Sequence, residues 1–192
     1  MNGMPNMLAY TIRGGIAAGD YPQIVIGQGS TRKGFAPSTP TNDSYWIYFL
    51  DTSSPGTLVH QLIIPGSSAS TVPAGLQTYF DNPNLLYGVV TQNLSTLHVP
   101  QGDFYDFLVV YGAGRALQRL EQVNTTLSCG YFGHMSYALI GQGGPRGPKI
   151  IPPASYEAGD LYHGVLLTYS LMPGANGQPP YSICDSNTFV TR

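Results

Sequence analysis

The residues of this chain that could support catalysis, metal binding or phosphate binding do not form the local patterns that such chemistry needs. Gly29–Gly34 has the glycine spacing of a phosphate-binding loop, but Phe35 follows where a lysine would have to reach the phosphates. None of the four histidines lies two to five residues from another, as a local metal site requires. A Gly-x-Ser-x-Gly nucleophile motif is absent from the sequence. The sequence therefore predicts no catalytic residues, no metal and no cofactor.

The composition instead favours recognition of a neutral ligand rich in hydroxyl groups. Charged residues make up 9% of the 192 residues, against about a quarter in typical soluble domains. Tyrosines are abundant, and an aromatic face packs against the apolar side of a sugar ring while amides and acids bind its hydroxyls. The net charge of −2, with eight scattered basic residues, argues against nucleic acid and anionic membranes as partners. A glycan or a protein surface is the expected partner.

The elements that would position such a site lie in residues 45–144. Two runs of aromatic and β-branched residues, Tyr45–Asp51 and Thr57–Ile64, flank a Ser-Pro-Gly turn and predict a strand pair. The next predicted elements are a helix at Val72–Asp81, a strand at Leu85–Val90, a helix at Gln101–Val123 and a strand at Ser136–Gly141. Gly112 and Gly114 each cost roughly 1 kcal/mol inside a helix, so the sequence predicts either a kink or two shorter helices there.

Residues 1–44 and 145–192 are interpreted as extensions of this block. The first carries one predicted strand, Gln23–Gly27, and the second carries one, Val165–Leu171, among loops rich in proline and glycine. The length suits one domain with extensions. The predicted fold class is therefore α/β, with a single compact domain, a mixed β-sheet, two packed helices, an N-terminal strand and a Pro/Gly-rich C-terminal extension.

The order of the elements in residues 45–144, and the segment Gly130–Tyr137 before the last strand, resemble the ILEI/PANDER-like domain family, the interleukin-like EMT inducers. Known members are secreted cytokine-like proteins, and a related domain forms the non-catalytic, sugar-binding stem of a protein O-mannose GlcNAc-transferase. The family tends to carry a glycine, an aromatic residue and an Arg-Asp-Ser-Trp-like sequence before this strand. Here Ser136 matches, Tyr137 takes the place of the tryptophan, and His134 and Met135 stand near the places of the arginine and aspartate.

The resemblance implies a non-catalytic, carbohydrate-binding recognition module. Asp51 matches an acid common in the family, and either orients a ligand hydroxyl or closes the turn that follows it. The candidate ligand-binding residues are expected around one aromatic cleft; they are Asp51, Asn93, His134, Ser136 and Tyr137. The alternative function is a structural assembly subunit, such as a phage capsid decoration or tail protein, that forms homo-oligomers through its extended ends. An enzyme of unrecognised type is the third possibility.

The cysteines and the N-terminus bear on where the protein works. Cys129 and Cys184 allow one disulfide that would tie the C-terminal segment to the central block, and two buried free thiols are the alternative. The N-terminus lacks the basic start and apolar core of a secretory signal, and no window approaches the roughly 20 apolar residues of a membrane span. A virion component needs no signal because it leaves the cell by lysis. The low charge content is common in extracellular and virion surface proteins, so the expected location is extracellular or on a virion.

Overall fold

The computed structural model of the chain describes residues 8–15, 22–27, 30, 32–37, 39, 41–127, 133–145, 155–161, 163–174 and 180–191. The strands in these residues are β1 (Leu8–Gly14), β2 (Gln23–Gly27), β3 (Lys33–Phe35), β4 (Ser44–Asp51), β5 (Leu58–Pro65), β6 (Leu85–Gln92), β7 (Leu94–Ser95), β8 (His134–Gln142), β9 (Ser155–Asp160), β10 (Gly164–Pro173) and β11 (Tyr181–Thr191). The helices are α1 (Leu76–Phe80), α2 (Gly102–Val110) and α3 (Arg115–Leu127).

Six of these strands form the central sheet, in the order β5-β4-β6-β8, with β7 and β9 both pairing with β8. β4, β6 and β8 consist almost wholly of buried residues, because their runs of aliphatic and aromatic side chains suit strands that are covered on both faces. All pairings between these strands are antiparallel. The mixed sheet expected from the sequence would contain both parallel and antiparallel strand pairs. In the described chain, parallel pairing is limited to one isolated bridge between Gly15 and Gln92.

The second sheet joins the two terminal segments of the chain. Its order is β11-β10-β1-β2-β3, so β10 from the C-terminal segment pairs antiparallel with β1 from the N-terminal segment. The two sheets enclose a core that includes Trp46, Val165 and Tyr169. They approach so closely that a Cβ atom added to Gly14 would lie 2.9 Å from the carbonyl oxygen of Tyr137. Both terminal segments are thus packed against the central sheet.

The helices cover the other face of the central sheet around a cluster of aromatic rings. Phe80 packs edge-on against Phe107, with ring centroids 4.9 Å apart, and lies 4.8 Å from Tyr111. α2 ends at Val110 and α3 begins only at Arg115. Gly112 between them has φ of 99°, a conformation that favours glycine. The predicted break therefore separates two short helices and does not kink one long helix.

At a coarse level the structure confirms a compact α/β fold rich in sheet. Two details differ from the prediction: the helix expected at Val72–Asp81 is only Leu76–Phe80, and each terminal segment contains more than one strand. The division of Gln101–Val123 into two helices is one of the two outcomes that the sequence predicts. Residues 145–192 contain β9, β10 and β11, of which only β10 was expected. β9 includes Glu, Gly and Asp, which disfavour strands, but its backbone pairs with the otherwise open edge of β8.

A glycine in the core between the sheets allows a prediction about packing. The fully buried ring of Tyr48 lies across Gly88 of the neighbouring strand, and a Cβ atom on Gly88 would overlap the tyrosine hydroxyl. Gly88→Ala is therefore expected to lower the free energy of unfolding by about 2 kcal/mol through overpacking, measured by urea denaturation. Gly34→Ala is the matched control, since its Cβ would meet nothing closer than 3.9 Å. Equal effects of the two substitutions would contradict this reading of the packing.

Candidate functional site

Two of the predicted ligand-binding residues, Ser136 and Tyr137, are buried inside the protein. Ser136 is fully buried, and its hydroxyl donates a hydrogen bond to the backbone oxygen of His163 at 2.5 Å. Tyr137 is only 1% exposed, and its hydroxyl donates to the Glu157 carboxylate at 2.8 Å. Neither side chain lines a surface cleft. Both residues instead use their polar atoms within the protein.

The other three predicted residues are divided between the two ends of the central sheet. Asn93 and His134 lie together, with the His134 Nδ1 atom 3.0 Å from the Asn93 backbone oxygen. Asp51 lies at the opposite end of β4, seven residues from Ser44, which corresponds to about 23 Å of extended strand. Its Oδ1 atom accepts a hydrogen bond from the Ser53 backbone N–H at 2.7 Å, as expected for the turn-closing role. The single cleft expected from the sequence is therefore not formed by these side chains.

The predicted disulfide falls largely outside the described part of the chain. Cys129 lies outside the described residues, as do residues 130–132 of the segment that carries the family resemblance. Cys184 belongs to β11, but its side chain is not among those described. The pairing of the two cysteines therefore stays a prediction.

The structure brings together a polar pair that the sequence did not indicate, Asp43 and His98. The Asp43 Oδ2 atom lies 2.6 Å from the His98 Nδ1 atom, and both side chains are about one-third exposed. The two residues are 55 positions apart, and no local spacing links them. Sequence reasoning missed them for this reason, since a lone aspartate and a lone histidine each have an ordinary explanation.

Asp43 is held in place by contacts to Gly66, Ser95 and His98. Its backbone has φ of 56°, a left-handed conformation that is uncommon outside glycine and tolerated best by Asn and Asp. The Oδ1 atom accepts a hydrogen bond from the Ser95 backbone N–H at 2.9 Å, while the backbone oxygen accepts one from the Gly66 N–H at 2.7 Å. The carboxylate is thereby fixed before any ligand arrives, and its second oxygen is directed to His98.

His98 is fixed through its backbone as well as through its ring. The hydroxyl of Tyr45 donates a hydrogen bond to the His98 backbone oxygen at 2.5 Å. Burial, and then the nearby negative charge of Asp43, raise the pKa of Tyr45 well above its usual value, so this hydroxyl keeps its proton at neutral pH. A Cβ atom on Gly66 would lie 2.6 Å from Asp43 Oδ1 and 2.9 Å from the His98 ring. Glycine at position 66 is therefore required for the pair to pack as it does.

The pair stands at the wall of a small open cavity of about 110 Å³, here called the His98 cavity. Its lining combines hydroxyl, amide, imidazole and apolar groups; the residues are Gly66, Ser67, Ala69, Ser70, Leu97, His98, Val99 and Gln101. The side chain of Leu97 is 59% exposed and supplies an apolar surface beside these polar groups. The cavity therefore offers both hydrogen-bonding groups and one apolar contact.

No protein-family model matches the chain, and no curated protein is significantly similar to it. Within the described residues, no group of three or more His, Cys, Asp or Glu side chains is arranged to hold a metal ion. No helix in that part of the chain is both long enough and apolar enough to cross a membrane.

The cavity is lined by groups that can bind a ligand, but neither of its serines is positioned to act as an activated nucleophile. An activated serine would need to lie within hydrogen-bond reach of the histidine. Among the described residues, no hydrogen bond connects His98 with Ser67 or Ser70. The Asp43 carboxylate, which contacts Nδ1, orders the His98 imidazole. A ligand can then bind to Nε2 of the same ring, to the serine hydroxyls and to the Gln101 amide.

Proposed function

We propose that the chain is a non-catalytic recognition module that binds a neutral carbohydrate in the His98 cavity. The observation that supports this most directly is the Asp43–His98 pair, which orders an imidazole beside hydroxyl and amide groups without activating a nucleophile. Ordered side chains give affinity because little conformational freedom is lost on binding. Recognition of hydroxyl groups needs this mixture of donors and acceptors in fixed positions.

The chemistry of the lining favours a sugar over a charged ligand. Because Asp43 occupies the Nδ1 atom of His98, Nε2 is the ring nitrogen left for a ligand hydroxyl, as a donor or an acceptor according to the tautomer. Ser67, Ser70 and Gln101 can each donate and accept, whereas none of the described residues that line the cavity is a lysine or arginine that could bind a phosphate or carboxylate. The exposed side chain of Leu97 can pack against the C–H face of a pyranose ring. The ligand class is therefore an uncharged saccharide.

The size of the cavity limits how much of the ligand it can hold. At about 110 Å³ it is smaller than the 300–1,000 Å³ typical of sites that enclose a drug-sized molecule. It suits one edge of a terminal sugar residue, with the rest of the glycan lying in solvent. We expect weak binding by a single cavity, as is usual where little surface is buried.

Location and family enter this proposal as supporting arguments. The low charge content agrees with an extracellular or virion-displayed protein, the location expected from composition. The order of elements from β4 to β8 agrees with the order on which the resemblance to the ILEI/PANDER-like domains was based. The two residues that we assign to the site, Asp43 and His98, are not the ones that the resemblance indicated. The proposal is therefore based on geometry first and on fold analogy second.

A structural assembly subunit, for example of a virion, is the second candidate function. The described strands of both terminal segments are paired within the two sheets, so they are not free arms that reach a neighbour. What favours assembly is the outer edge of β5, which carries no charged residue. A defined oligomer that binds nothing on a glycan array would favour this function over carbohydrate recognition.

Removal of the imidazole tests the proposed sugar site. His98→Ala is expected to weaken binding of the glycan that scores highest on an array by about tenfold or more, because a buried ligand hydroxyl loses its partner. His163→Ala is the matched control, since His163 also lies beside an aspartate, with Nδ1 3.0 Å from Asp160 Oδ1, but outside the cavity. Titration of both variants with that glycan gives the comparison. A blank array, or equal loss in both variants, would overturn the assignment.

A further inference from the structure

The four outermost strands of the two sheets differ in charge. In the described chain, β5 and β9 are the edge strands of the central sheet, and β3 and β11 are the edge strands of the second sheet. Three of these strands contain charged residues: Lys33 in β3, Glu157 and Asp160 in β9, and Asp185 in β11. β5, with the sequence Leu-Val-His-Gln-Leu-Ile-Ile-Pro, contains none. Charges on edge strands prevent edge-to-edge pairing, and β5 lacks this protection.

Both faces of β5 carry apolar side chains that the protein only partly covers. Leu62 packs against the core beneath the helices, while Leu58 and Ile63 pack against the core between the sheets, and all three are half-buried. Val59 is 49% exposed at a bulge near the start of the strand, where the register with β4 shifts. Beyond this bulge, Gln61–Ile64 pairs regularly with β4. A strand added at this edge would complete the cover of both cores.

We propose that β5 pairs antiparallel with β5 of a second copy of this chain, which joins the two central sheets into one. A second copy fits because antiparallel pairing about a two-fold axis sets the same uncharged segment against itself, so that no like charges meet. It also brings the half-covered side chains of each copy against those of the other, above and below the sheet. Such an interface is isologous and closes at two subunits.

The dimer does not depend on the proposed sugar site, but it determines how two such sites are arranged. Gly66 of the His98 cavity directly follows Pro65, the last residue of β5. Antiparallel pairing therefore places the two cavities at opposite ends of the joined strands. A branched or repeating glycan that reaches both cavities would bind with higher avidity than one that reaches a single cavity.

The test is the native mass of the full chain in solution, measured by light scattering over a range of concentrations. The expected mass at high concentration is twice the chain mass of 20.6 kDa. Val59→Lys puts a charged side chain from each copy at the end of the paired segment Gln61–Ile64, where lysine opposes edge-to-edge pairing, and is expected to weaken the dimer by about tenfold or more. Val110→Lys is the matched control, because Val110 is also an exposed valine, 52% exposed, but lies on α2. Thermal unfolding of both variants checks that each is folded.

Hydrogen exchange locates the interface. The dimer is expected to protect those backbone amides of Gln61–Ile64 that point away from β4, in proportion to its population, since these are the N–H groups that the second copy pairs. A chain that stays monomeric at its highest soluble concentration would overturn the proposal. So would a dimer that Val59→Lys and Val110→Lys weaken equally, or one in which the β5 amides gain no protection.

Discussion

Glu157→Ala is expected to lower the free energy of unfolding by about 3 kcal/mol, because one half-buried carboxylate serves three donors. The Oε1 atom accepts a hydrogen bond from the Ala116 backbone N–H at 2.7 Å, and Oε2 accepts bonds from the Leu117 N–H at 3.3 Å and the Tyr137 hydroxyl at 2.8 Å. The two backbone donors lie in the first turn of α3, where a carboxylate also favours the helix dipole. Truncation leaves the buried Tyr137 hydroxyl without this acceptor.

Three further variants separate the parts of this effect in urea denaturation. Tyr137→Phe removes only the phenol donor and is expected to cost about 1 kcal/mol, and the double-mutant cycle with Glu157→Ala gives the energy of that one contact. Glu157→Gln keeps one acceptor oxygen and replaces the other with an amide nitrogen that only donates, so its stability should lie between those of Glu157→Ala and the unaltered protein. Asp106→Ala, at an exposed position on α2, is the control and should change stability by less than about 0.5 kcal/mol. A loss for Glu157→Ala no larger than that of Asp106→Ala would contradict the argument.

The Glu157 contacts also show why the role of the C-terminal segment was difficult to predict. β9 carries Glu157 and pairs with β8, so residues after 145 stabilise both the last strand and the last helix of the central block. A single glutamate in a short polar stretch gives no sign of a partner about 40 positions away. The central strands were predictable because β4, β6 and β8 are continuous apolar runs. β9 was not, because its strand conformation comes from pairing and not from propensity.

The same distinction between local and distant signals applies to the candidate site. The composition of the sequence indicated a ligand rich in hydroxyl groups, and composition can be read without knowing which residues are in contact. It could not indicate Asp43 and His98, whose proximity depends on the Gly66 turn and on the left-handed backbone at Asp43. The family resemblance, which compared only residue types, predicted that Tyr137 lies at the surface. In the fold, the alternation of side chains along β8 directs it into the core beneath the helices.

Alkaline pH is expected to destabilise the protein steeply, by up to about 4 kcal/mol per pH unit, because three tyrosines are buried as neutral phenols. Burial is the main cause that raises the pKa of Tyr45, Tyr137 and Tyr169 well above the usual value. Nearby charge adds to it, from Asp43 at Tyr45 and from Glu157 at Tyr137, which also accepts the Tyr137 hydrogen bond. Folding therefore stabilises the protonated form of all three phenols.

The direction of this dependence follows from proton binding. In the unfolded chain the three phenols lose their protons near pH 10, whereas in the folded chain they keep them, so above about pH 10 the folded state binds more protons. The free energy of unfolding is then unaffected by these groups below about pH 10 and falls above it, by about 1.4 kcal/mol per pH unit for each tyrosine. Urea denaturation from pH 8 to pH 12 measures the slope, and Tyr137→Phe should reduce it by about one-third because one of the three groups is removed. A slope that stays near zero above pH 10, or one that Tyr137→Phe leaves unchanged, would show that these phenols ionise without unfolding the protein.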